Sequence, residues 1–341
     1  MTAVDIRTEP LRGRAAYPGL AALSGMQQLE ALRSGAAPAP AIARLTGRRI
    51  IALGPGTASF ALPVTGWIAG AKGDVHPGVL ALLADGAMYG AVHTELPPRT
   101  PTTTAELALT FLGAARVAPG ELTASARLIH LDAALALTEV FLRDSTGRTV
   151  AHGTSRCSVF PAIDPSVELV PAAPEPGSYG TPDPWQRPAP VEPVGTWRAR
   201  SGLEQLTALL TGERERPPVD HLFGVRLAGA EHGRVVFTMP ASPWLSQEWG
   251  TVHGGALALL ATSATSAVVQ STAPAGTAFA ALDVKVNFLR AVQPDGRDLV
   301  ATGTLLHAGR RLAIATAEVV QGDERVAVST GSTALTPGAA R

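Results

Sequence analysis

The chain repeats itself at the scale of a whole domain. Ser24-Gly25-Met26-Gln27-Gln28-Leu29 returns as Ser201-Gly202-Leu203-Glu204-Gln205-Leu206, and Trp67 returns as Trp244. His76 returns as His253, Phe111-Leu112 as Phe288-Leu289, and His130 as His307. Every pair is separated by the same 177 residues, and no gap is needed from Ser24 to about Leu142. Solenoid repeats have periods of roughly 20–50 residues, so a period of this length is one domain duplicated and fused. A fused pair can keep one copy of a site and lose the other. Positions where the halves differ therefore carry functional information.

Other features narrow the class. The 341 residues accommodate two domains that each bury a core. The formal net charge is zero and the basic residues do not cluster, which argues against nucleic-acid or anionic-membrane partners. The single cysteine, Cys157, excludes an intrachain disulfide, suits a reducing compartment and has no flanking base to activate it. The stretch MTAVDIRTEPLRGR lacks the apolar core of a signal peptide, and no apolar run is long enough to span a bilayer as a helix. The expectation is a cytoplasmic protein with no membrane partner. No Cys/His cluster has metal-ligand spacing, so neither metal nor cofactor is expected.

The organisation reads as a loose leader (1–20), a first domain (21–160), a Pro-rich linker (161–195) and a second domain (196–337). Closely spaced prolines from Pro161 to Pro193 favour extended chain and oppose a helix or central strand. Each domain opens with a helix, Gly25–Arg33 or Gly202–Leu210, with Ser24 or Ser201 near its N-cap. Two short strands follow, such as 233–239. A long apolar helix comes next, Gly78–His93 or Gly254–Gln270, with so few charges that it must be buried on most sides. Glu106–Phe111 and Asp283–Phe288 alternate as strands, and 299–307, 312–320 and 325–335 read as strands between turns. The expected fold class is α+β: a tandem pair, each half an antiparallel sheet wrapped around one long central helix.

Two motifs carry a resemblance. Val252-His253-Gly254-Gly255-Ala256-Leu257-Ala258-Leu259-Leu260 opens the buried helix, and Val284-Lys285-Val286-Asn287-Phe288-Leu289-Arg290 forms the next strand. Together they resemble hotdog-fold acyl-CoA thioesterases of the PaaI type, here in tandem, double-hotdog form. The resemblance implies a cytosolic enzyme that hydrolyses acyl-CoA thioesters without a metal. It also implies active sites between paired hotdogs, where one partner supplies a helix N-terminus and the other an acid nine positions after its own histidine. Such residue types fit the chemistry. Helix N-terminal N–H groups stabilise the charge that develops on the thioester oxygen, glycine lets substrate approach the backbone, and a carboxylate serves as base or nucleophile.

The halves differ at the positions that matter to that pattern. Nine residues after His76 stands Asp85, whereas nine after His253 stands Thr262. The residue after the histidine is Pro77, which has no N–H, in one half and Gly254 in the other. Six before the histidine stand Gly70 and Gln247, where the family places Asn or Gln, and the family's strand hydroxyl matches Thr103 in the first half but Ala280 in the second. If sites form across the pair, Asp85, Gln247, His253, Gly254 and Thr103 complete one, and Thr262, Gly70, His76 and Pro77 leave the other deficient. The expectation is one composite acyl-CoA site per chain and one vestigial site.

Each residue has a plainer reading beside this one. Asp85 is otherwise a structural carboxylate, His253 and His76 orient their turns, Gln247 belongs to its loop, and Pro77 is an ordinary first-turn proline. Arg290, Arg310 and Arg311 either meet CoA phosphates or form a solvated basic edge. His130, His152 and His307 pack or cap strands. Two other functions stay open: a double hotdog of the acyl-CoA thioesterase II kind, with Asp283 the candidate acid, and a non-catalytic acyl-CoA or metabolite-binding module. A homodimer of two such chains is also open. Acyl chain length is not readable.

Overall fold

The computed structural model describes residues 4–14, 18–168, 179–190 and 199–338. In the first half, α1 (Gly25–Ser34), α2 (Ala41–Thr46), β1 (Arg49–Gly54) and β2 (Thr57–Pro63) precede the long helix α3 (Pro77–His93). Strands β3 (Thr102–Phe111), β4 (Glu121–Leu131), β5 (Leu135–Arg143) and β6 (Thr149–Val159) follow. The second half repeats the order with α4 (Gly202–Thr211), α5 (Pro218–Phe223), β7 (Arg226–Glu231), β8 (Arg234–Pro240) and α6 (Gly254–Gln270). It ends with β9 (Ala278–Phe288), β10 (Asp298–Ala308), β11 (Leu312–Gln321) and β12 (Glu324–Thr336). The duplication extends to detail. Ser24 and Ser201 each close a capping box, with Gln27 and Glu204 at the third helical position.

All twelve strands form one antiparallel sheet in the order β1-β2-β4-β5-β6-β3-β9-β12-β11-β10-β8-β7. The halves join at its centre, where β3 pairs with β9 from Glu106↔Asn287 to Thr110↔Asp283. The α+β tandem expected from the sequence is this arrangement. Every residue of α3 from Gly78 to His93 is buried, as its apolar composition requires, and α6 is nearly as enclosed. The two helices run antiparallel and pack through glycine. A Cβ on Gly78 would lie 2.6 Å from Leu259 Cα, and one on Gly255 would lie 2.4 Å from Leu82 Cα. This close approach brings the middle of α3 against the first turn of α6 and merges both halves into one core.

Two connecting segments differ from their sequence reading. The 4–14 stretch of the expected loose leader is held: Val4 and Ile6 enter the core, and Ser242 Oγ donates to Ile6 O. Trp244 Nε1 donates to Glu9 O, while its counterpart Trp67 donates to Arg187 O in the linker. Arg187 and Glu9 are themselves joined by two hydrogen bonds, and buried Arg12 pairs with Asp183 at 3.1 Å. The leader thus packs on the second half and the linker on the first, each satisfying a buried indole that needs an acceptor. The described linker residues contain one short 3-10 turn, Pro184–Gln186, and Trp197 lies outside the described residues.

Candidate active site

The site lies where the two long helices cross. His253 caps α6, which leaves the first amides of that helix without intrahelical acceptors. Gly255 N–H donates to Asp85 Oδ2 at 2.9 Å, a bond that reaches from one half to the other. His253 Nδ1 lies 3.2 Å from the same carboxylate oxygen. Thr104 Oγ1 donates to the other oxygen, Oδ1, at 2.9 Å. Asp85 is therefore buried and surrounded by donors. Gly254 N–H has no acceptor among the described residues. A Cβ on Gly254 would stand 2.9 Å from Asp85 Oδ2, so only glycine leaves both the amide and the carboxylate open to a ligand.

Burial raises the Asp85 carboxyl to about 6. The Thr104 hydrogen bond, the Arg48 charge and the Gly255 amide oppose that shift, and Glu248 adds to it. His253 is held neutral, first by burial and then by the adjacent Arg48. A carboxylate with a moderately raised pKa beside a helix N-terminus can accept a proton near neutral pH while remaining mostly ionised.

The candidate residues separate into those the fold gathers and those it does not. Asp85, His253 and Gly254 meet as the cross-repeat pattern requires. Thr103 does not face the site: it is exposed, and Thr104 takes the contact. The register of β3 against β6 shifts between Thr104 and Glu106, so a bulge at Ala105 reverses the in–out phase set by Leu107, Leu109 and Phe111. Gln247 uses its amide inside its own loop, donating to Thr251 Oγ1 at 2.7 Å. Arg290 pairs with Glu324 on the surface. Arg310 and Arg311 lie in the β10–β11 turn, tied to Leu335 near the start of β9. Phe288, whose ring faces Gly254, is at the other end of that strand. These two arginines are not brought to the site. Asp283 accepts from Ser332 N–H on the neighbouring strand.

One residue escaped the sequence reading. Arg48, only 6 % exposed, places Nη1 2.8 Å from His253 Nε2 and lies over the Phe60 ring. Its Nη2 is 4.0 Å from buried Glu248. The repeat offset could have flagged it, since its counterpart is Val225.

The mirror position is built differently. Thr262 turns back to bond Ala258 O on its own helix. His76 Nδ1 accepts from Gly78 N–H, and its Nε2 faces Ser263 Oγ at 3.4 Å. Ala281 stands where Thr104 stands in the first half, and Lys72 stands where Trp249 does in the second. Lys72 points onto the Phe279 carbonyl, and burial lowers its ammonium to about 8.

Comparison with known proteins agrees with this architecture. The sequence profile described as "Thioesterase superfamily" matches twice, at residues 72–151 and 250–328. The structure of an acyl-CoA thioesterase II from Mycobacterium marinum aligns with a TM-score of 0.52 and 16% identity, covering 87% of this chain and 97% of that one. A tesB protein from Mycobacterium avium subs paratuberculosis gives 0.52 and 14%, covering 87% and 98%. A hot dog fold protein of unknown function from Alicyclobacillus acidocaldarius gives 0.51 and 16%, covering 87% and 98%. At such identities the likeness is one of fold. Curated protein sequences give no match. The profile falls once in each half of the joined sheet, so the described residues form a tandem double hotdog in which each half matches the thioesterase superfamily profile.

Proposed function

We propose that this protein hydrolyses acyl-CoA thioesters at a single composite site between its halves. The observation that carries the reading is the pairing of the Asp85 carboxylate from α3 with the first turn of α6, beside an unpartnered Gly254 N–H. The thioester carbonyl oxygen would accept from that N–H. Negative charge developing on the oxygen is stabilised by the amide and by the positive end of α6. Asp85 either takes a proton from the attacking water or attacks the carbonyl itself; the CoA thiolate then leaves, and in the second route water cleaves the resulting acyl-Asp85 anhydride to free the acid and restore the carboxylate. Either route needs the ionised carboxylate, so burial that raises its pKa also raises its strength as a base.

The pairing also explains why one chain has one such site. The mirror position has Pro77 without an N–H, Thr262 without a carboxylate and Ala281 without a hydroxyl. A panel of short, long and aryl acyl-CoAs assayed for released thiol tests the activity. Rapid-quench single turnover separates the routes: a nucleophilic Asp85 passes through an acyl anhydride that hydroxylamine traps, whereas a base forms no covalent intermediate. If the panel binds but releases no thiol, the protein is a binding module and the reading is wrong.

A further inference from the structure

We infer that Arg48 is a positioning residue which fixes the proton of His253 on Nδ1, beside Asp85. The reasoning follows from donors and acceptors. A guanidinium only donates, so Arg48 Nη1, 2.8 Å from His253 Nε2, requires that nitrogen to be an unprotonated acceptor. A neutral imidazole must then carry its hydrogen on Nδ1. Asp85 Oδ2 lies 3.2 Å from that nitrogen. Gly255 N–H lies 2.9 Å from both Nδ1 and Oδ2, and with Nδ1 protonated it is directed to the carboxylate. Asp85 thus receives donors from Gly255 and Thr104, with His253 Nδ1 beside Oδ2, and Arg48 sets the hydrogen on that nitrogen without touching the carboxylate.

The mirror site supplies an internal comparison. His76 has no arginine. Its Nδ1 accepts from Gly78 N–H, so its hydrogen sits on Nε2 and faces Ser263 Oγ. Two substitutions separate the arrangements, and they fit each other sterically. Where the first half has Arg48 and Gly86, the second has Val225 and Ser263. A Cβ on Gly86 would lie 1.9 Å from Arg48 Nη1, so the guanidinium holds this position because α3 carries glycine there. Glycine in a helix interior is otherwise unfavourable, by roughly 1 kcal/mol relative to alanine. Its presence in a buried helix is accounted for by the guanidinium it admits.

The effect on rate rests on the thioesterase reading; the proton's location does not. The test therefore has two readouts. In protein labelled with ¹⁵N at histidine rings, long-range ¹H–¹⁵N spectra report each tautomer, with His253 assigned by its loss in His253→Gln. His253 should show Nδ1–H in the native protein. In Arg48→Val/Gly86→Ser, which copies packing already present in the other half, it should switch to Nε2–H. Arg48→Lys keeps a donor and should retain Nδ1–H. With a hydrolysed acyl-CoA, the double variant should lose kcat by about tenfold or more with KM little changed, and Arg48→Lys should recover part of it. Nε2–H in the native protein overturns the inference, as does a double variant that keeps Nδ1–H or switches tautomer without loss of kcat. If no acyl-CoA is hydrolysed by the native protein, the proposed function fails while the spectra still decide where the proton lies.

Discussion

The two halves share a fold but not a chemistry, and their differences concentrate at one pair of equivalent places. Trp67 and Trp244 are both buried, and both indoles are satisfied by connecting chain. His93 bonds Gln28 as Gln270 bonds Gln205. Around the helix crossing the correspondence breaks: Asp85 faces Thr262 in the alignment, Gly254 faces Pro77, Thr104 faces Ala281, Arg48 faces Val225, and Gly86 faces Ser263. Because α3 and α6 are antiparallel, Asp85, Gly254, Thr104, Arg48 and Gly86 meet at one site although they come from both repeats. Backbone packing thus sets the symmetry, and a handful of side chains remove it from the chemistry.

The largest test of that comparison removes the carboxylate. Asp85→Asn keeps the size of the side chain and an acceptor for Gly255 N–H, yet abolishes the base. Turnover of a hydrolysed acyl-CoA should fall by at least about a hundredfold, measured by thiol release. Near-native turnover would show that the asymmetry between Asp85 and Thr262 has no catalytic meaning. A smaller effect is expected from Thr104→Ala, which copies the second half. Loss of its hydrogen bond removes a group that lowers the Asp85 pKa. The native kcat/KM should rise with pH through about 6 as Asp85 ionises, and in the variant this rise should move to higher pH with about a tenfold lower value at pH 6. An unmoved profile would detach Thr104 from the reacting carboxylate.

The same buried carboxylate predicts a stability signature. Asp85 titrates higher in the folded protein, about 6 against 3.8, so the folded state binds its proton more tightly. The stability this gives is fully present below about pH 3.8 and is lost as pH rises through about 6. Asp85→Asn carries no such charge. It should be more stable than the native protein at pH 7–8, by about 2 kcal/mol in urea melts, with the gap closing towards pH 4. A variant destabilised at every pH would mean that the Thr104 and Gly255 hydrogen bonds outweigh desolvation.

Much of the fold was legible because its signals are local and doubled. The charge-poor runs Gly78–His93 and Gly254–Gln270 could only be interior helices, and the constant offset turned each uncertain strand into two observations. Asp85, His253 and Gly254 could be grouped from the sequence because the offset exposes what one half lacks, and the fold brings them together. The errors came from backbone and from long-range packing. Thr103 was named because it matches the family's strand hydroxyl, and the one-residue bulge that turns Thr104 inward instead leaves no mark in the sequence. Arg48 was missed because its role depends on Gly86 and His253, which are remote in sequence and adjacent only after α3 packs on α6. The leader was misread because Val4 and Ile6 find their apolar partners in the other half.

The smallest effect, and the sharpest test of assembly across the halves, is rescue of the deficient site. In an Asp85→Asn background, Thr262→Asp would place a carboxylate opposite the first turn of α3. Gly78 N–H, now donated to His76 Nδ1, is the counterpart of the amide that holds Asp85. Alone, the new acid faces Pro77, which has no N–H to offer the thioester oxygen. It would also be buried without the hydroxyl that Thr104 supplies in the native site, at a cost of a few kcal/mol. Pro77→Gly alone restores the donor but provides no base. Each single change should leave hydrolysis at the Asp85→Asn level. Together they should raise it by about tenfold, because groups that act as one unit do not add. The gain stays small while Ala281 and Val225 leave the acid without its supporting donors. If Thr262→Asp revives activity unaided and Pro77→Gly contributes nothing, the acid works with an amide other than the one 185 residues before it. The pairing of Asp85 with Gly254 across the repeats would then lose its support.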